Sequence, residues 1–358
     1  MSKLARFDLE KLSQVLWGLV LLALPVTSFR YFPLLGKYTY VRPLAFYPLV
    51  LLYLVLALRL LRKEIKLPWS NAQIPFFIFL LVALLTTAAG TFLAPIELRG
   101  QDYWGRAIRT LLTFIIGISF FIAALWMHRD MDDLRRSLPW LYAGLVLTML
   151  WAGVQATAFY TPLLKKGQVS EWQLLFSMRG MPKIKRVSGF AFEASWLAGQ
   201  ISTLYLPWLV ASLLGHFRAT KFRWLEPLLL LGAILTLLLT YSRGGLLIAL
   251  AATGLTLVVA GQKTIQRVWS WFLHPKRQVL SEKGSAVFAQ IGLRVLILGL
   301  FAGALWGGGY LLVQRNYFTS LFATNADSLA DYFIKAKAGG RITYFLSAVK
   351  IFLQYPLF

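Results

Sequence analysis

Residues 225–260 read LEPLLLLGAILTLLLTYSRGGLLIALAATGLTLVVA, an apolar tract interrupted by Arg243. How this stretch is folded decides the architecture. As one helix, 36 residues at ~1.5 Å each would reach about 54 Å. A hydrocarbon core is only ~30 Å thick, and tilt does not absorb the difference. The tract therefore reads as two spans joined by a tight turn. Ser242-Arg243-Gly244-Gly245 is the only turn chemistry within it, so Arg243 belongs at a membrane surface and not in mid-bilayer.

The rest of the chain follows the same pattern. Of 358 residues, 58% are hydrophobic and 15% aromatic, with a mean hydropathy of +0.64. The excess over a soluble domain is gathered into runs near the ~20 residues that cross a bilayer. Spans are predicted at about 15–29, 43–60, 74–95, 108–127, 138–160, 191–214, 225–241, 244–260 and 291–313. The fold class is thus an all-α polytopic bundle of about nine spans. Residues 1–160 form an N-terminal transmembrane part. Residues 161–358 comprise a loop at 161–190, spans within 191–313, and the start of a large outer segment at 314–358. Lys3, Arg6 and Lys11 precede the first apolar run with no small-residue cleavage site, which describes an uncleaved span.

The net charge is +23, from 37 Lys+Arg against 14 Asp+Glu. Because these cations lie in loops between spans, they point to anionic lipids or anionic substrates and not to nucleic acid. With the N-terminus in the cytoplasm, Lys and Arg divide almost evenly between the two faces. Compact basic loops such as RLLRKEIK and HFRATKFR favour that orientation. The outer face is then unusually basic. Cysteine is absent, which excludes disulfides and thiolate chemistry. His128, His216 and His274 fall in predicted cytoplasmic segments and read as surface residues, too far apart for a metal site. No phosphate-binding loop, dinucleotide fingerprint or zinc-protease motif occurs, and no metal or cofactor is expected.

Three arginine segments fall on the outer face: KIKRVSGFAFEASWLAGQ (183–200), LLTYSRGGLL (238–247) and GGRITYFLSAVKIFLQYPLF (339–358). Arginine offers five donors in a planar fork and keeps its charge when partly dehydrated, which suits phosphate oxygens at a membrane surface. Arg186, Arg243 and Arg341 together could clamp a diphosphate, while each taken alone reads first as a snorkelling interfacial residue. Glu193, at the start of a span, reads as a partner for an arginine, with Arg186 seven residues away, as a base or acceptor-orienting group, or as an incidental polar residue. Apolar residues at 342, 345, 346, 349, 352 and 353 predict a helix over 341–354 lying along the membrane interface, with Arg341 and Lys350 free to meet water or headgroups.

Taken together and in this order, RVSGFAFEASWLAG, LTYSRGGLLIAL and GRITYFLSAVKIFLQYPLF resemble the O-antigen ligase and polymerase superfamily of bacterial envelopes. That family shows R-x-x-G-x-x-x-E-P entering a span, T-x-S-R-G-G/A between two spans, and an arginine-led outer helix followed by P-L-F-G-x-G. The match covers residues 183–358. It implies a multi-pass protein of the plasma (inner) membrane, active outside the cytoplasm. Such a protein transfers a polyprenyl-diphosphate-linked glycan to a lipid or glycan acceptor without metal. Arg186 and Arg243 would hold the donor diphosphate and stabilise the departing charge. Arg341, Lys185, Ser242 and Lys350 would contribute to substrate binding, and Glu193 would occupy the family's acidic position. Ala194 stands where the family has proline. The family's G-x-G, its acceptor-activating histidine and its further spans would lie beyond Phe358, so the resemblance favours a truncated chain over a divergent member with altered activity and leaves the general base unassigned.

Overall fold

The computed structural model describes residues 8–32, 41–67, 69–93, 97, 100, 102–182, 185–214, 217–222, 224–260, 262, 266, 270 and 341–354. The chain divides into two compact units, residues 1–265 and 266–358. The first is all helical: α1 (Leu9–Ala23), α2 (Phe46–Leu61), α3 (Ile74–Leu93), α4 (Tyr103–Met127), α5 (Met131–Tyr160), α6 (Lys166–Leu174), α7 (Ala194–Gln200), a π turn (Ile201–Tyr205), α8 (Leu206–Leu214), α9 (Leu225–Leu239) and α10 (Arg243–Ala260). In the second unit, α11 (Arg341–Gln354) forms where the apolar spacing predicts it. The predicted span 291–313 lies outside the described residues.

Among the described residues, four helical stretches are long and apolar enough to cross a membrane: Ile74–Phe92, Tyr103–Met127, Met131–Tyr160 and Ala194–Leu214. Phe46–Leu61, Leu225–Leu239 and Gly244–Thr256 are shorter apolar helices. In the apolar window of α3 no residue is buried inside the protein. Phe77, Ile78, Phe79, Leu81 and Leu85 are all more than half exposed. So large a contiguous apolar surface calls for an apolar medium around it.

Aspartates start α1, α4 and α5. Asp8 accepts from Lys11 N at 3.1 Å, Asp102 from Gly105 N at 3.2 Å, and Asp130 from both Asp132 N and Asp133 N at 2.9 and 2.8 Å. Each satisfies backbone donors that the first turn leaves free. The core forms where α1 packs on α2 and α5, where α5 meets α9, and where α8 lies against both α9 and α10. Val20, Leu49, Leu52, Leu145, Leu197 and Leu209 are fully enclosed there. Pro207 accounts for the π turn between α7 and α8. It has no N–H for Thr203 O, and the chain widens one turn earlier, with Leu206 N reaching Ile201 O.

The tract 225–260 does split into two helices, but the turn lies earlier than its glycines suggest. α9 is capped at Thr240, Tyr241 carries a left-handed φ of 48°, and α10 begins at Arg243. Ser242 starts α10, its carbonyl accepting from Leu246 N at 3.0 Å and its Oγ from Gly245 N at 3.3 Å. Gly244 and Gly245 are therefore helical. Gly245 serves packing, because a Cβ there would collide with the Cβ of Ala198 on α7. Ser202 Oγ ties the two helices together by donating to Ala198 O and Gly245 O, both at 2.8 Å.

Candidate functional site

Two of the arginine segments meet at one end of this bundle. Arg186 donates from Nε to Thr240 O at 2.7 Å, and Val187 N donates to Leu239 O at 3.1 Å. The strand-like stretch entering α7 thus lies across the C-terminus of α9, three residues before Arg243. The partial negative charge of those carbonyls holds the guanidinium. Tyr160 strengthens the junction. Its hydroxyl approaches Lys185 O at 3.1 Å and Tyr241 Oη at 3.4 Å, and Lys185 Nζ sits 5.9 Å from its ring centroid. Arg186 makes no ion pair among the described residues. With Nε engaged, its two terminal nitrogens keep donors for an anion.

A buried amide relay places this stretch. Gln155 of α5, fully enclosed, accepts from Ser188 N and Gly189 N, both at 2.9 Å. It donates to Gly189 O at 3.2 Å and to Gln173 Oε1 at 2.7 Å. Gln173 of α6 passes the connection on, donating to Arg179 O at 3.1 Å. Gly189 is required at its position. Its φ is 55°, and a Cβ would press on Thr148 and Leu197. The carbonyl of Arg179 and the Ser188–Gly189 backbone just after Arg186 thus both hang from two glutamines.

Glu193 pairs with Arg179, not with Arg186: Arg179 NH1 lies 2.7 Å from Glu193 Oε1. The helix begins only at Ala194, so residues 186 and 193 do not share a helical face. Ser195 Oγ approaches the other carboxylate oxygen at 3.3 Å, and the Arg179 guanidinium lies 5.3 Å from the Phe192 ring centroid. Both partners are nearly half exposed. Phe192 N is held by Thr27 Oγ1 at 3.0 Å, and Arg30 NH1 donates to Leu174 O at 2.9 Å, so the 27–30 segment adds another cation to the same end.

Of the sequence-derived candidates, Arg186, Lys185, Ser242 and the backbone of Arg243 are brought together, while Glu193 is held by Arg179. Ser242 is buried and engaged in capping α10. The side chains of Arg243 and Arg341 lie outside the described residues. Lys350 is exposed on α11, in the separate second unit. Sequence reasoning missed Gln155, Gln173 and Arg179. The signal for Gln155 was present: a primary amide inside the apolar run 138–160 is costly unless its hydrogen bonds are met. His128, read as a surface residue, is instead half-buried. Its Nδ1–H donates to Ala124 O at 3.0 Å, which leaves Nε2 to accept from Ser137 Oγ at 2.8 Å. Compared with protein-family models, with curated proteins and with solved structures, the chain matches none.

Proposed function

We propose that this chain is a membrane glycan ligase or polymerase of about nine spans. It uses a polyprenyl-diphosphate-linked glycan as donor on the outer face of a bacterial plasma membrane, with a lipid or a second glycan as acceptor. One observation carries the reading: Arg186 is seated on the carbonyl of Thr240, which joins two arginine motifs more than fifty residues apart at one end of the bundle. Donors fixed in advance and aimed at a developing phosphate charge are an effective source of catalysis. Arg186 and Arg243 supply that charge, and Arg179 and Lys185 line the approach. Glu193 orients Arg179 and is not the base. A transporter reading would lean on the π turn in the span 194–214, but that turn, Ile201–Tyr205, carries no acidic or basic side chain.

The test is transfer of polyprenyl-linked glycan in membranes that contain the full-length protein. Arg186→Ala and Arg243→Ala are each expected to lower the rate ~10²-fold or more. Glu193→Gln should cost less than tenfold, whereas loss of a general base costs ~10²–10⁴-fold. Normal transfer by Arg243→Ala refutes the clamp. Solute uptake or lipid flipping without glycan transfer favours the transporter.

A further inference from the structure

Away from that end, the connection between α2 and α3 and the end of α4 line an open pocket of about 560 Å³. Its charged lining is Lys63, Lys66, Arg129 and Glu64, and its indoles are Trp69 and Trp126. The one carboxylate is already engaged: Glu64 lies 3.5 Å from Arg59 Nε and 3.9 Å from Arg62 NH1. Among the described residues, Lys63, Lys66 and Arg129 make no side-chain ion pair, so three cations are left in surplus. His128 also lines the cavity. Burial, ahead of the opposing pull of the Ala124 carbonyl and Asp133, holds its pKa below the ordinary value, and it is not counted among the cations.

The loop carries a backbone cost. Lys63 has a φ of 60°, the left-handed region where glycine is favoured, after the α2 C-terminus closes with Arg62 N to Leu58 O and Lys63 N to Leu60 O. A lysine kept at a glycine position suggests that its side chain is used. Trp126 Nε1 donates to Lys66 O at 2.9 Å and anchors the same loop.

A second cavity of about 200 Å³ adjoins it between α3 and α4, lined almost wholly by apolar side chains such as Phe76, Leu80, Ile118 and Ile122. Two ring contacts join the cavities. Trp126, of the first, meets Tyr53, of the second, at 5.9 Å. Trp69, of the first, stacks on Phe77, of the second, at 6.3 Å. A cationic, indole-rimmed pocket thus lies next to an apolar cleft, across these ring contacts, beside two helices long enough to cross a membrane. That is the profile of an anionic phospholipid, with headgroup and acyl chain each provided for.

We propose that Lys63, Lys66 and Arg129, with Trp69 and Trp126, form a headgroup site for an anionic phospholipid whose acyl chain lies between α3 and α4. The site rests on the membrane placement of α3 and α4 and is independent of the glycan-transfer reading. The purified full chain in detergent is titrated with phosphatidylglycerol and, separately, with phosphatidylcholine, and bound lipid is counted by native mass spectrometry. Each cation removed should weaken phosphatidylglycerol about fivefold, and Lys63→Gly/Lys66→Ser/Arg129→Ser about 100-fold, with little change for phosphatidylcholine. Lys63→Gly also relieves the left-handed backbone, which favours folding of this variant. Leu80→Trp fills the apolar cleft without touching the cations and should also lose phosphatidylglycerol. It decides the matter if the triple variant does not fold. Equal retention of phosphatidylglycerol by wild type and variants overturns the proposal, as does equal binding of the two lipids by wild type. Displacement of phosphatidylglycerol by inorganic phosphate also overturns it, in favour of a small-anion site.

Discussion

Replacing Gln155 by methionine keeps the volume and removes the amide, and the structure sets what that should cost. Gln155 serves four enclosed or nearly enclosed partners: Ser188 N and Gly189 N at 2.9 Å, Gly189 O at 3.2 Å and Gln173 Oε1 at 2.7 Å. Gln173 and Ser188, like Gln155 itself, are buried. A buried polar group stripped of its partner costs ~1–3 kcal/mol. Taking the low end for each of four groups gives about 4 kcal/mol, a large share of the ~5–15 kcal/mol that stabilises a typical protein. Gln155→Met should therefore melt at markedly lower temperature in detergent, followed by tryptophan fluorescence. Hydrogen exchange should show the loss of protection concentrated at residues 187–189, next to Arg186. Gln173→Met should be milder. The double variant should cost less than the sum of the two, because the 2.7 Å bond between the amides is lost in either single variant. If Gln155→Met costs under about 1 kcal/mol, the relay does not hold the stretch, and the placement of Arg186 must have another source.

Gly245→Ala should destabilise by about 1–3 kcal/mol through overpacking against Ala198. Adding Ala198→Gly should recover part of that loss, measured as a coupling in a double-mutant cycle. His128, with its pKa held down mainly by burial, should make stability depend on pH. Above the unfolded value near 6.5 both states are neutral and the contribution is complete. As the pH falls below 6.5 the unfolded chain takes up a proton that the folded chain resists, and stability declines. Melting profiles between pH 8 and 5.5 should show this slope, and His128→Gln should flatten it.

Much of the fold could be read in one dimension. Apolar runs of bilayer length marked where helices form, and length arithmetic alone required a break within 225–260. Amphipathic spacing likewise predicted helix over 341–354. The exact break could not be read. A left-handed Tyr241 has no signature in residue type, and the two glycines that looked like turn chemistry proved to be a packing surface for Ala198. The candidate site divides in the same way. That arginines mark its motifs is a matter of residue type.

Which groups touch depends instead on the path of the chain between helices. Arg186 finds the carbonyl of Thr240, Glu193 finds Arg179, and Gln155 finds the backbone of Ser188 and Gly189. The sequence by itself determined the medium the chain requires, since hydrophobic burial adds up residue by residue along the run. Only the tertiary structure decided the partners, because a buried hydrogen bond or ion pair exists only where two distant segments are brought within about 3 Å of each other.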